Sequence, residues 1–184
     1  MTELCEIGFK YKTDKCPQIK HHFTEWYYHE FNGRRNDVRK VVEIGIGNMH
    51  PYFVRGASLY MWREYFPNAM IYGADIDPQL LFTDQRIDTV YCDQTNPDDL
   101  IHLLDVTGSD VDLFIDDGLH TPDSQIFTCL TVMPMLDRRA TYVIEDAGNR
   151  SYLPQLREFY DCTVWRRSRT KYNDDRLVIV RRIE

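Results

Sequence analysis

The sequence predicts an α/β fold: a seven-stranded, mostly parallel sheet with helices on both faces and a terminal antiparallel strand pair. Three observations predict it. After residue 39, short β-branched runs alternate with helix-length amphipathic stretches, the pattern of strands buried beneath helices. Proline stands at or near the start of three of those stretches, where its missing N–H leaves no hydrogen bond unmade. The last two strand candidates follow each other with no room for a helix, which makes them antiparallel neighbours joined through residues 168–175.

Taken in chain order, residues 24–31 read as one aromatic-rich helix carrying Trp26, Tyr27, Tyr28 and Phe31. An irregular segment with Tyr11, Thr13, Asp14 and Lys15 precedes it, so residues 1–38 are expected to cap one end of the sheet. Strands are expected at 40–46, 70–75, 88–92, 111–116, 141–145, 161–166 and 176–182, and helices at 58–66, 97–104, 122–135 and 152–160. At 184 residues the chain fits a single domain, residues 1–184, with 39–184 as its core.

Composition narrows the classes. A hydrophobic fraction of 43% with 28% charged residues is that of a globular protein, and no run approaches the roughly 20 apolar residues needed to span a bilayer. The opening MTELCEIGFKYKTDK mixes lysines and acids where an export signal needs an apolar stretch, so a cytoplasmic protein without a membrane partner is expected. Five scattered cysteines (Cys5, Cys16, Cys92, Cys129, Cys162) without a C-x-x-C pair read as reduced and structural, and not as a disulfide framework or a zinc site. A net charge of -7 argues against nucleic-acid binding; the basic run Arg166, Arg167, Arg169, Lys171, Arg181 and Arg182 reads as a solvated or substrate-facing edge.

The stretch VVEIGIGN ends a buried strand in Gly45 and Gly47, where absent side chains allow a sharp turn and close approach of backbone to a ligand. The next strand ends in GADID, placing Asp75 beside that loop, where a carboxylate can accept both hydroxyls of a ribose. The third ends in YCDQ, bringing Asp93 and Gln94 to where an adenine amino group can be read. A dinucleotide fingerprint would need glycine at position 50, where His50 stands. Glycines, an acid and an acid at three successive strand ends resemble the class I S-adenosylmethionine-dependent methyltransferases over roughly residues 40–184. That resemblance implies a Rossmann-like sheet and S-adenosylmethionine as cofactor.

FIDDGLH and VIEDAG carry Asp116, Asp117, Glu145 and Asp146 to the same sheet edge. Four converging carboxylates repel unless a cation sits among them, and oxygen ligands suit Mg²⁺ or another hard divalent ion such as Mn²⁺. The plainer reading is solvated strand ends or helix caps. His120, three residues past Asp117, is placed to act as a general base; His21, His22, His29, His50 and His102 have weaker claims.

IDDGLH, followed 25 residues after its histidine by IED, resembles the metal-dependent sugar O-methyltransferases of natural-product pathways. KYKTDK with HHFTEWYYHEF, and GASLYMWREYFP, are similar to the same group. The resemblance implies metal ligands Asp117, Glu145 and Asp146 with His120 as base, acting on a sugar hydroxyl. Catechol-type relatives would choose Asp116 in place of Asp117; Asp116 otherwise serves the methionine end of the cofactor or orients a ligand. Glu43 and Ser58 are candidates for the cofactor's amino and carboxylate groups, and a buried Glu on a strand is equally a structural residue. Tyr11, Lys15, His22, Trp26 and Tyr27 either line a sugar-bearing acceptor's pocket or pack the cap on the sheet, with packing preferred. A second subunit in a homo-oligomer is one way to complete that pocket. Other readings are an O-methyltransferase of a different hydroxylated metabolite, a hydroxylase-like enzyme on the same scaffold, or a non-catalytic cofactor-binding domain.

Overall fold

The computed structural model describes residues 1–47, 54–168 and 171–183; His50 and Arg169 lie outside them. Two helices, α1 (Glu3–Tyr11) and α2 (Phe23–Phe31), precede β1 (Lys40–Ile44), α3 (Ala57–Tyr65), β2 (Met70–Asp75) and a single helical turn at Pro78–Leu80. Then follow β3 (Ile87–Tyr91), α4 (Pro97–Thr107), β4 (Leu113–Asp116), α5 (Pro122–Val132), β5 (Thr141–Ile144), α6 (Leu153–Leu156), β6 (Tyr160–Arg166) and β7 (Arg176–Arg182). The seven strands form one sheet in the order β3-β2-β1-β4-β5-β7-β6. β1 to β5 pair in parallel, whereas β7 lies antiparallel between β5 and β6.

Strand periodicity sorts the core into two layers, because successive side chains point to opposite faces. Val41, Leu113, Ile115, Val143 and Ile179 face one way and pack with Leu4, Phe23, Tyr27, Phe31, Leu59 and Trp62 from α1, α2 and α3. Their neighbours Val42, Phe114, Tyr142, Ile144 and Val180 face the other way, against Leu100, Leu103, Cys129, Val132 and Leu156 from α4, α5 and α6. Among the described residues no helix is long and apolar enough to cross a membrane.

Two elements differ from expectation. The segment before α2 is not wholly irregular: α1 forms there, with Thr2 accepting from the Cys5 N–H, Glu3 and Glu6 in its first turn, and Lys12 closing it in the left-handed conformation (φ 61°). Its apolar face is only Leu4, Cys5, Ile7 and Gly8, too short to stand out as a periodic pattern. The helix expected at 152–160 stops at Leu156 because Tyr160 is drawn into the sheet opposite Arg182, so pairing along β6 and β7 prevails over local helical preference.

β1 ends two residues sooner than its apolar run because Gly45 has φ +86° and a Cβ there would collide with the Asp117 carbonyl. Gly45→Ala therefore adds left-handed strain to a backbone clash. It should cost about 2 kcal/mol or more, read as a lowered thermal midpoint. All five cysteines are free and buried, and burial pushes the thiols of Cys92 and Cys162 up to about 12 and about 11. A thiol-directed reagent at neutral pH should label none of them in the native chain and all five after denaturation.

Candidate functional site

The carboxyl ends of β1, β2, β3, β4 and β5 open onto one edge of the sheet, and hydrogen bonds carry the register past each strand end. Gly45 N–H donates to the Ala74 carbonyl (2.8 Å), Asp117 N–H to Ile44 (2.9 Å) and Glu145 N–H to Asp116 (2.9 Å). Side-chain alternation then separates adjacent acids. Glu43, Asp117 and Glu145 project toward the layer of α1 to α3, whereas Asp116 projects toward Tyr142 and α5.

The first group surrounds Lys15, which is 1% exposed. Its ammonium donates to Asp117 Oδ2 and to Glu145 Oε2 (2.5 Å), with Glu43 Oε1 at 3.4 Å. Burial opposes the charge, yet Asp117, Glu145 and Glu43 together outweigh it and hold the Lys15 pKa well above its ordinary value. Both Glu145 oxygens are engaged, since the Tyr27 hydroxyl donates to Oε1 (2.7 Å). Glu43 accepts from Ser58 Oγ (2.6 Å) and Trp62 Nε1 (2.5 Å). Burial raises the pKa of Glu43 and, more strongly, of Glu145, with Lys15 opposing.

The second group faces an open cleft of about 700 Å³ lined by Gly45, Gly47, Asp75, Asp93, His120 and Asp146 among others. One ligand atom each from Asp117, His120 and Asp146 lie within 4.8 Å of one another. His120 is 43% exposed and its Nε2 is 3.5 Å from Asp146 Oδ2. Asp146 holds a positive φ of 48°, unusual for a non-glycine residue, at the turn that follows β5. Burial and Asp117 push its carboxyl up to about 6, against His21, His120 and Lys20. Its Oδ1 is buried without a hydrogen bond among the described residues, 3.1 Å from His21 Nε2. An unsatisfied buried carboxylate oxygen, beside a second carboxylate and an imidazole, fits a hard divalent ion.

Of the expected cofactor contacts, Gly45, Gly47, Asp75, Asp93 and Gln94 line the cleft. Asp75 accepts from the Ile46 and Asp77 N–H groups (3.0 and 2.9 Å). Four of the expected residues carry hydrogen bonds to the protein's own groups. Gln94 turns inward, donating to Asp116 Oδ1 (3.1 Å) and Thr128 Oγ1 (3.0 Å) and accepting from the Leu119 N–H, so it fixes the loop that carries His120. Asp116 is 1% exposed, also accepts from the Tyr142 hydroxyl (3.2 Å), and is pushed by burial up to about 7. Glu43 and Ser58 hydrogen-bond each other within the core, the structural alternative for both.

The cap residues take the packing roles preferred from sequence. Tyr27 is fully buried on Glu145, and Lys15 is paired with the carboxylates. Tyr11 donates to Glu64 (2.7 Å) and stacks on Tyr60 of α3, and His22 Nδ1 pairs with Asp175 Oδ2 (2.7 Å). These are packing roles for the cap. His21, given little weight from sequence, is 1% exposed and grouped with Asp146 and Asp174.

No protein-family profile matches the chain. It is 36% identical over 141 residues to the 8-demethyl-8-alpha-L-rhamnosyl tetracenomycin-C 2'-O-methyltransferase of Streptomyces olivaceus, covering 77% of the chain and 37% of that protein. It is 34% identical over 145 residues to the mycinamicin VI 2''-O-methyltransferase of Micromonospora griseorubida, covering 78% and 36%. The chain thus spans little more than a third of the length of these curated relatives. Among solved structures, MycE methyltransferase from the mycinamycin biosynthetic pathway, in complex with Mg and SAH, superposes with a TM-score of 0.79 at 25% identity, over 98% of this chain and 55% of that one. A caffeoyl-CoA O-methyltransferase-like protein from Staphylococcus aureus, 10% identical with a TM-score of 0.65 over 99% of this chain and 93% of that one, shares the fold. By sheet order and by these likenesses, the chain has the class I S-adenosylmethionine-dependent methyltransferase fold and is similar to the sugar O-methyltransferases.

Proposed function

We propose that the chain is an S-adenosylmethionine- and divalent-metal-dependent O-methyltransferase acting on a sugar hydroxyl. The observation that carries the reading is the grouping of Asp117, His120 and Asp146 in a cleft that Gly45, Gly47, Asp75 and Asp93 also line. The glycines let the backbone approach the cofactor, Asp75 receives its ribose and Asp93 borders its adenine. Asp117, Glu145 and Asp146 would hold Mg²⁺ or Mn²⁺. A divalent ion bound there supplies Lewis acidity that makes the acceptor hydroxyl more acidic.

His120 is exposed to the cleft, so its imidazole can reach an acceptor and take the hydroxyl proton at a ring nitrogen, while Asp146 beside Nε2 stabilises the imidazolium that results. Gln94 and Ser124 hold the N–H and the carbonyl of Leu119, one residue earlier, and so fix where the ring stands. The sugar acceptor is supported by the likeness to rhamnosyl and macrolide relatives. Five free thiols suit the reducing cytoplasm as the site of action.

Incubation with labelled S-adenosylmethionine and a panel of rhamnose-bearing acceptors tests the activity; no transfer to any hydroxyl would sink the reading. His120→Ala should slow transfer about 10²-fold or more while S-adenosylhomocysteine binds as before in calorimetry. Chelation should abolish transfer and added Mg²⁺ or Mn²⁺ restore it; full activity in chelator would remove the metal from the reaction.

A further inference from the structure

The amino-terminal cap sends Lys15 into the carboxylate centre, onto two of the acids expected to hold a metal. Lys15 Nζ bonds Asp117 Oδ2 and Glu145 Oε2 at once, on residues 102 and 130 positions away. Glu145 Oε1 is already occupied by the Tyr27 hydroxyl. Ligation by Glu145 therefore runs through Oε2 or breaks the tyrosine bond. An ion about 2.1 Å from Oε2 and an ammonium on the same oxygen would repel at close range in a buried setting.

The surroundings also provide a place for the ammonium to go. Glu43 Oε1 is 3.4 Å away, and Lys15, with Gly45, Ser58 and Asp117, borders a void of about 50 Å³. Movement toward Glu43 keeps the lysine paired while freeing the other two acids.

We propose that Lys15 is a resident counter-cation of the carboxylate centre: it holds Asp117 and Glu145 together until a divalent ion takes them, and then withdraws toward Glu43. The proposal rests on the metal-dependent reading above and adds a residue to it. Lys15 keeps the strand-end acids from repelling one another, and its competition sets a ceiling on metal affinity. Removing it leaves more negative charge for the ion, so metal binding strengthens while the metal-free fold weakens.

Calorimetric titration with Mg²⁺ and Mn²⁺ should show the Lys15→Met protein binding at least about tenfold more tightly than the unsubstituted chain. Its thermal midpoint should be lower without metal and rise further on metal addition. A lysine with a merely structural role would give weaker or unchanged binding on removal, and that result overturns the proposal. Binding by the unsubstituted chain with no gain in the variant defeats the role of Lys15 alone; no binding by either protein defeats the metal reading and the proposal with it. Should Lys15→Met not fold, the ε-CH₂ resonance of Lys15 in the unsubstituted chain is followed during Mg²⁺ titration. A saturable shift is expected, and an unmoved signal overturns the proposal.

Discussion

The carboxyl edge of the sheet is organised around one buried ammonium, Lys15, set among two buried carboxylates, Glu43 and Glu145, and the partly exposed Asp117. Glu43, Asp117 and Glu145 come from three neighbouring strands of the sheet, and water cannot stabilise the charge of the two that are fully buried, Glu43 and Glu145. Lys15 offsets that cost, and its backbone belongs to the cap, so the electrostatics of the centre hold the amino-terminal segment on the sheet. Breaking such an assembly by removing one partner leaves an uncompensated buried charge, with a penalty of about 3–5 kcal/mol where comparable pairs have been cut. The remaining acid, Asp146, stands outside the Lys15 contacts, with one oxygen unbonded and the other toward His120.

The sheet's two-residue alternation divides the acids by role. Asp116 and Asp117 are neighbours in sequence but belong to different environments. Asp116 enters a closed network with Gln94, Thr128 and Tyr142 beneath α5, and that network positions the His120 loop. Asp117 enters the charged centre. The positive φ at Asp146 is the corresponding device after β5: adjacent Glu145 points into the core while Asp146 turns to the cleft.

The fold was largely legible from the chain. All seven strands form, because short β-branched runs between helix-length stretches leave few alternatives, and the closing antiparallel pair follows from the missing helix between β6 and β7. The insertion of β7 between β5 and β6 was not legible, since strand order depends on which edges remain open after the others have paired. At the site, the cleft-lining residues Gly45, Gly47, Asp75 and Asp93 were readable from their places at strand ends. The inward turn of Gln94, Glu43 and Ser58 was not, because each is settled by a partner far along the chain that no local pattern reveals.

What the sequence by itself determined is the placement of residue types: which positions end strands, which acids stand in pairs, and that His120 follows Asp117 closely enough to share its loop. These depend on local spacing, which a chain carries in one dimension. Only the tertiary structure decided which way each side chain points and what answers its charge. Lys15 reads in sequence as one of several polar residues in a cap. It becomes the counter-ion of the centre because α1 and α2 pack on the odd face of the sheet and deliver it there, a consequence of three-dimensional packing over more than a hundred residues of separation.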